Sequence, residues 1–397
     1  MMAGPLSHRR AWRTGVVQQV CPDGVLDLGP GYLDPDLLPA DLLAAAYHGA
    51  LTEFGSAALA YGDDRGAVPF RAAVADRVAR ADDRPCGPEH VLVTAGTSHA
   101  LYLLATAMAT PGDVVLVEQY GYDLGRQLLA DCGLRPRPVA MDGAGMDPAA
   151  FEEAVTSVRA HGGRVAFACL IPTYHNPTGL VVPEARRRDL LAVAQRLGVL
   201  VVEDDAYAEL DLDATPAPCS MAGLADYHGV IRLRTLSKTL APGLRLGCLL
   251  AAPDVVTRLA NHAVFVSGGS ANHVTSLAVA HLLRSGAYDR HLTWLRNRLR
   301  TSRDALAGAL LPALGPDFAC QVPAGGYFLW VRCTTRSEPD LLAAAEAAGV
   351  RVAAGSRFGA GPHAAVRLAY SFTAPDQLVT AAGLLASAWQ PVPVTHL

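Results

Sequence analysis

Charged residues are sparse in this chain, at 18% of 397 positions, and no long run of either sign occurs. The 33 basic and 37 acidic residues leave a net charge of −4, which removes the basic surface a nucleic-acid binder needs. The eight cysteines (Cys21, Cys86, Cys132, Cys169, Cys219, Cys248, Cys320, Cys333) include no C-x-x-C pair, so neither zinc nor a disulfide framework finds support. No stretch approaches eighteen uncharged apolar residues, and the longest, near 100–109, stops at Pro111-Gly112-Asp113. The first residues carry His8, Arg9, Arg10 and Arg13 with no apolar core behind them, unlike a secretory signal. These absences predict a soluble, cytoplasmic protein with no membrane or nucleic-acid partner. What is plentiful is apolar side chain, 51% of the chain, enough for a large core and more than one domain.

Residues 1–25 read as an arm. Turn-rich Gly29-Pro30-Gly31-Tyr32 and Asp34-Pro35 read as loop before a helix from Asp41. A second helix carries Phe70, Val74 and Val78 at four-residue spacing. Then apolar runs alternate with helical patterns: strands at Val91–Thr94, Val114–Glu118, Val165–Leu170, Val199–Val202 and Val230–Leu233. Between them lie helices at His99–Ala109, after Tyr122 and at Pro183–Arg196. This rhythm predicts an α/β fold with a mostly parallel sheet covered on both faces. Ligands of such sheets bind beyond the carboxyl ends of the strands, and the unusual residues sit there. After Leu246–Ala251 the rhythm changes. Long helices (Ser270–Leu283, Tyr288–Leu311), strands at Gly325–Val331 and Ala364–Tyr370, and helices near Leu341 and from Pro375 read as an α+β second domain.

Four strand ends and one strand interior carry chemistry. Gly96-Thr97-Ser98 opens a helix, where free amides and hydroxyls suit an anion, although such residues are also ordinary caps. Asn176-Pro177-Thr178-Gly179 is a tight turn whose Asn side chain can donate to a ligand oxygen. Glu203-Asp204-Asp205-Ala206-Tyr207 reads either as a solvated cap or as one carboxylate turned inward to hold a pyridinium nitrogen protonated. Thr235-Leu-Ser237-Lys238 followed by Pro242-Gly243 and Arg245 places a lysine in apolar surroundings. Desolvation there favours the neutral, nucleophilic amine, and the hydroxyls and guanidinium suit a phosphate. Arg367 interrupts an apolar strand and either meets water or, turned inward, holds a carboxylate.

In this order and spacing, Tyr61, Gly96-Thr97-Ser98, Tyr122, Asn176-Pro-x-Gly, Asp204-x-Ala-Tyr207, Ser237-Lys238, Arg245 and Arg367 resemble the pyridoxal-phosphate-dependent class I/II aminotransferases of the type I fold. The likeness is greatest to the branch shared with aminotransferase-like domains of bacterial regulators, and it covers roughly residues 25–390. It implies a large domain (61–285) with a mostly parallel seven-stranded sheet, and a smaller α+β domain built from 26–60 and 286–397. It also implies that Lys238 forms the Schiff base with pyridoxal 5'-phosphate and moves the substrate proton. Asp204 would pair with the pyridine nitrogen, Tyr207 and Asn176 with the phenolic oxygen, and Tyr122 would stack on the ring. Thr97, Ser98, Thr235, Ser237 and Arg245 would hold the phosphate, joined by Tyr61 from the other subunit of a homodimer. Arg367, Asn176, Gly31 and Tyr32 would meet the substrate, an amino acid or 2-oxo acid.

His99, Tyr120, Tyr370 and Tyr32 depart from the usual pattern and are expected to flank the substrate pocket. Transamination is the reading favoured by Arg367 and the full cofactor set. Decarboxylation, elimination or replacement, or carbon–carbon bond formation on the same scaffold is the alternative. A regulator would need a winged-helix domain that the residues before 25 do not supply.

Overall fold

The computed structural model describes residues 24–213 and 216–390. Helices α1 (Ala40–Phe54) and α2 (Val68–Asp82) come first. The central layer follows: β1 (Val91–Thr94), α3 (Thr97–Ala107), β2 (Val114–Glu118), α4 (Asp123–Asp131), β3 (Arg135–Val139), α5 (Pro148–Ala160), β4 (Val165–Leu170) and α6 (Glu184–Leu197). It continues with β5 (Leu200–Asp204), β6 (Val230–Thr235) and β7 (Gly247–Leu250). These form one seven-stranded sheet in the order β1-β7-β6-β5-β4-β2-β3. Only β7 runs antiparallel to its neighbours, β1 and β6. Apart from the edge strand β3 and the arginines of β6, the strands are largely apolar on both faces because both faces are covered. Leu92, Val115, Val117, Phe167, Val202, Ile231 and Leu249 pack with α3 on one side. Val93, Leu116, Ala168, Val201, Val230 and Leu250 join the larger core on the other.

The remainder is α7 (Pro253–Ala260), α8 (His273–Arg284), α9 (Ala287–Leu310), β8 (Phe328–Cys333), α10 (Glu338–Ala347), β9 (Ala364–Ala369) and α11 (Pro375–Trp389). Strands β8 and β9 form the centre of a four-stranded antiparallel sheet with Phe318–Ala319 and Ala353–Ala354. Leu26–Asp27 pairs in parallel with Val350–Arg351, so the beginning of the described chain is fastened to this second layer. No helix among the described residues is long and apolar enough to cross a membrane.

The seven-stranded, mostly parallel sheet matches the expectation from sequence. The sequence reading assigns nothing between 135 and 160, where the structure has β3 and α5. Strand β3, Arg-Pro-Arg-Pro-Val, lies at the sheet edge and pairs only with β2. Proline is tolerated there because no second ladder needs its N–H, so the strand lacks an apolar signature. The N-terminal arm falls mostly on residues 1–23, outside the described residues.

Candidate active site

The strand register sorts the three acids at the end of β5. Glu203 is registered to Arg232 and Asp204 to Leu233, so the pleat sends Asp204 to the opposite face from Glu203 and Asp205. Glu203 accepts from the amides of Met221 and Ala222 at 2.9 and 3.0 Å. Asp205 pairs with Arg232 at 2.5 Å, and Arg232 also reaches Asp82 at 2.8 Å. Asp204 forms no ion pair among the described residues, and its buried Oδ1 has no hydrogen-bond partner. Burial first, then the charge of Asp205, push its carboxyl up to about 7, against the pull of Lys238. A buried carboxylate in this condition lacks a cation or donor opposite it.

Lys238 lies in the turn that leaves β6. It is the only lysine among the 397 residues; every other basic side chain of the 33 is an arginine. Its Nζ donates to the Gly31 carbonyl at 2.8 Å and lies 5.7 Å from the Tyr207 ring and 6.0 Å from that of Tyr327. Burial, then the positive charge of Arg367, bring its ammonium down to about 8, with Asp204 opposing. The neutral form that nucleophilic attack on a carbonyl requires is therefore more accessible near physiological pH than for an ordinary lysine.

Thr94 and Thr235 are both registered to Gly247 of β7, so the Gly96-Thr97-Ser98 turn and the Thr235–Ser237 turn leave neighbouring strand ends. A Cβ at Gly247 would come within 2.8 Å of the Gly96 Cα and 2.4 Å of the Arg234 carbonyl, so only glycine admits this approach. Thr235 Oγ1 donates to Ser237 Oγ at 2.9 Å and accepts from the Ser237 amide at 3.1 Å. Arg245, exposed and in the left-handed region at φ 46°, donates to the Ala95 carbonyl at 2.9 Å. Thr97 and Ser98 begin α3, whose first amides are free of helical partners. Hydroxyls, amides and a guanidinium thus converge around one turn, a donor set suited to a phosphate.

Arg367 turns inward. It is 5% exposed, lies between Phe328 and Phe358 at 4.0 and 4.4 Å, and donates to Asn176 Oδ1 at 2.8 Å and the Gly29 carbonyl at 2.7 Å. Its Nε is buried without a partner, and burial brings the guanidinium down to about 10. Gly31 passes so close that a Cβ would lie 3.2 Å from Phe328 and 3.8 Å from Arg367 Nη1. The Tyr32 carbonyl accepts from Ser371, and its ring meets Phe372 edge-on at 5.0 Å. Tyr122 precedes α4, and its hydroxyl is held above its usual range by burial and by the charges of Asp123 and Asp204. Tyr61 stands apart: it is 88% exposed, its ring near Gly268.

The structure gives three of the unusual residues definite surroundings. His99 Nδ1 accepts from the Ala95 amide at 3.0 Å, and burial and Arg245 lower its pKa; it secures the turn beside Arg245. Tyr120 packs edge-on against Trp330 at 5.5 Å, in a small apolar cluster with Phe358. Tyr370 is fully buried, its hydroxyl donating to the Gly325 carbonyl at 3.1 Å. Sequence reasoning missed Tyr327, Phe328 and Phe358 around Lys238 and Arg367. It also missed the charged layer of Arg232, Arg234, Glu209 and Arg77. A signal for that layer was present: arginines at alternate positions of a buried strand need partners, and only the apolar residues of β6 entered the reading.

A family model described as "Aminotransferase class I and II" matches residues 24–383. The chain is 31% identical over 307 residues to an uncharacterized HTH-type transcriptional regulator, YisV, of Bacillus subtilis, covering 77% of this chain but only 61% of that protein's length. It is 29% identical over 338 residues to the aromatic-amino-acid aminotransferase 1 of Thermococcus litoralis, covering 84% and 80% of the two chains. The crystal structure of LysN, an alpha-aminoadipate aminotransferase from Thermus thermophilus complexed with N-(5'-phosphopyridoxyl)-L-leucine, superimposes with a TM-score of 0.80 at 30% identity over 92% of both chains.

Proposed function

The chain belongs to the class I and II aminotransferase family, and from that premise we propose that it is a pyridoxal-phosphate-dependent aminotransferase exchanging an amino group between an amino acid and a 2-oxo acid. The observation that carries the reading is the unpartnered Asp204 Oδ1, buried on the Lys238 side of the sheet. A protonated ring nitrogen is the partner that carboxylate lacks, and the donors around Gly96 and Arg245 fit a phosphate. The residues present therefore fit the cofactor.

Pyridoxal phosphate, when bound, supplies an electron sink for the bond broken at the substrate Cα. Thr97, Ser98, Thr235, Ser237 and Arg245 would hold its phosphate, Asp204 would keep its nitrogen protonated, Tyr207 and Asn176 would bond its phenolic oxygen, and Tyr122 would cover its face. Lys238 would anchor it through the amine and later carry the proton to and from the substrate Cα. Arg367 would bind the α-carboxylate through its free Nε edge. Gly31 and Tyr32 would bound the same space, with Phe328 and Phe358 excluding water.

We extend the reading to a homodimer that shares its sites. Tyr61, Leu59, Val264 and Val266 are 88%, 74%, 50% and 57% exposed, an apolar face that a second copy would cover. The division into 61–285 and 26–60 with 286–397 belongs to the same proposal. The seven cysteines among the described residues are free, which supports a reducing, cytoplasmic setting. The test is a panel of amino donors with product identification. The 2-oxo acid and an aminated cofactor are expected; release of ammonia or carbon dioxide without the aminated cofactor would point to the alternative chemistry.

A further inference from the structure

A lysine side chain is long and flexible, so the reach of its amine is set by where its backbone is held. Lys238 sits in a turn, outside any regular ladder. Side chains from distant elements hold that turn. The Lys238 carbonyl accepts from the Tyr327 hydroxyl, and the Thr239 carbonyl lies 2.9 Å from His291 Nε2 on α9. Tyr288, fully buried on α9, has its hydroxyl 2.9 Å from Thr239 Oγ1 and 2.8 Å from Glu209 Oε2. A phenol has one proton, which the carboxylate takes, so the Thr239 hydroxyl supplies the proton of the other bond.

Glu209 is itself fixed. It pairs with Arg234 at 2.8 Å and with Arg77, whose guanidinium also lies 4.7 Å over the Tyr288 ring. Arg234 belongs to β6, the strand that feeds the Lys238 turn, and Glu209 follows Tyr207 by two residues. The connections therefore close into a ring: Arg234 to Glu209, Glu209 to Tyr288, Tyr288 to Thr239, and back along the chain through Lys238 to β6.

We propose that Tyr288 and Thr239, closed onto Glu209 and Arg234, are positioning residues that fix the pivot from which the Lys238 amine works. The proposal rests on the reading of Lys238 as the cofactor-binding lysine. An ordinary packing role would predict that removing the Tyr288 hydroxyl lowers stability and leaves the amine alone. A positioning role predicts that the turn loosens, that water reaches the amine, and that its ionisation rises toward the usual lysine range.

Because Lys238 is the only lysine, amine labelling followed by peptide mass spectrometry reports on it alone apart from the α-amino group. In Tyr288→Phe the pH midpoint of Lys238 acetylation, measured on the cofactor-free chain, should rise by roughly one pH unit from the wild-type value. In the cofactor-loaded enzyme kcat should fall about tenfold with KM nearly unchanged. Thr239→Val should reproduce both changes, and Tyr288→Phe/Thr239→Val should be no worse than either single variant, because both cut the same ring. Unchanged midpoints and kcat in folded single variants, or losses that simply multiply in the double variant, would overturn the proposal. A wild-type chain that binds no pyridoxal phosphate would refute the functional reading instead, and the wild-type control separates that failure from failure of the ring.

Discussion

Behind the carboxyl edge of the sheet, Arg232 lies between Asp82 and Asp205, and Arg234 and Arg77 share Glu209. In front of it, Lys238, Asp204 and Arg367 form no ion pair among the described residues; Asp204 Oδ1, Arg367 Nε and, behind, Asp205 Oδ1 all lack a hydrogen-bond partner there, but only Asp205 has a cation, Arg232, on its carboxylate. Only Asp204 lies between Glu203 and Asp205, and the pleat of one strand assigns it and its two neighbours to these two regimes. The rear layer carries charges already neutralised inside the fold. The front keeps charges whose partners must come from outside it. Buried groups left unpartnered cost stability, so their persistence marks where binding energy is to be gained.

This contrast can be broken from either side. The largest effect should come from Lys238→Ala, with aminotransferase activity down by about four orders of magnitude and the fold unchanged, measured by turnover and thermal unfolding. Asp204→Asn should lower kcat by about a thousandfold while leaving stability equal or higher, since it removes a buried carboxyl that has no ion-pair partner among the described residues. Arg232→Met should do the opposite. It leaves Asp82 and Asp205 unpaired and should cost about 3 kcal/mol of stability in denaturant unfolding. An Arg232→Met protein as stable as wild type would erase the distinction between the layers.

Arg367→Lys should raise KM for amino acids by about tenfold to a hundredfold with a smaller effect on kcat, because a point charge replaces a planar fork. The smallest effect, and the sharpest on the comparison, is pH dependence. Glu209 is held down to about 2, chiefly by Arg234 and Arg77 against its burial, so it contributes stability that is present above the ordinary glutamate range and lost as pH falls toward 2. Asp204 is shifted up to about 7, so the folded state keeps a proton that the unfolded chain has released. Its contribution is therefore lost as pH rises from about 4 to 7. Lys238, lowered to about 8, should add stability as pH rises from about 8 toward its ordinary range. Thermal unfolding across pH should show Glu209→Gln flattening the acid limb and Asp204→Asn flattening the decline between about 4 and 7.

The front of the site was legible in the sequence because its residues lie at strand ends and in short, spaced motifs. Lys238, Asn176 and Arg245 could each be named from local pattern and chemistry, whereas Asp204 was picked out of its acidic run only by the family resemblance. Orientation was not legible. That Asp204 and not Asp205 faces the lysine depends on register with β6, a pairing set by residues 29 positions downstream. The rear layer joins α2, β6, the turn at Glu209 and α9, far apart in the chain, and no local periodicity connects Arg77 with Tyr288. The unusual Tyr370 is buried in the core and Tyr120 packs half-buried on Trp330, surroundings that rarity in the sequence does not reveal. Strand β3 stayed hidden because an edge strand with two prolines has no alternating apolar signal.

The central claim is that Lys238 is the residue that binds pyridoxal phosphate. Borohydride reduction of the purified protein loaded with the cofactor, followed by peptide mass spectrometry, tests it most directly. A phosphopyridoxyl mass on the peptide containing Lys238 is the expected result, lost in Lys238→Ala. A protein that stays colourless with added cofactor and carries no such mass would contradict the account.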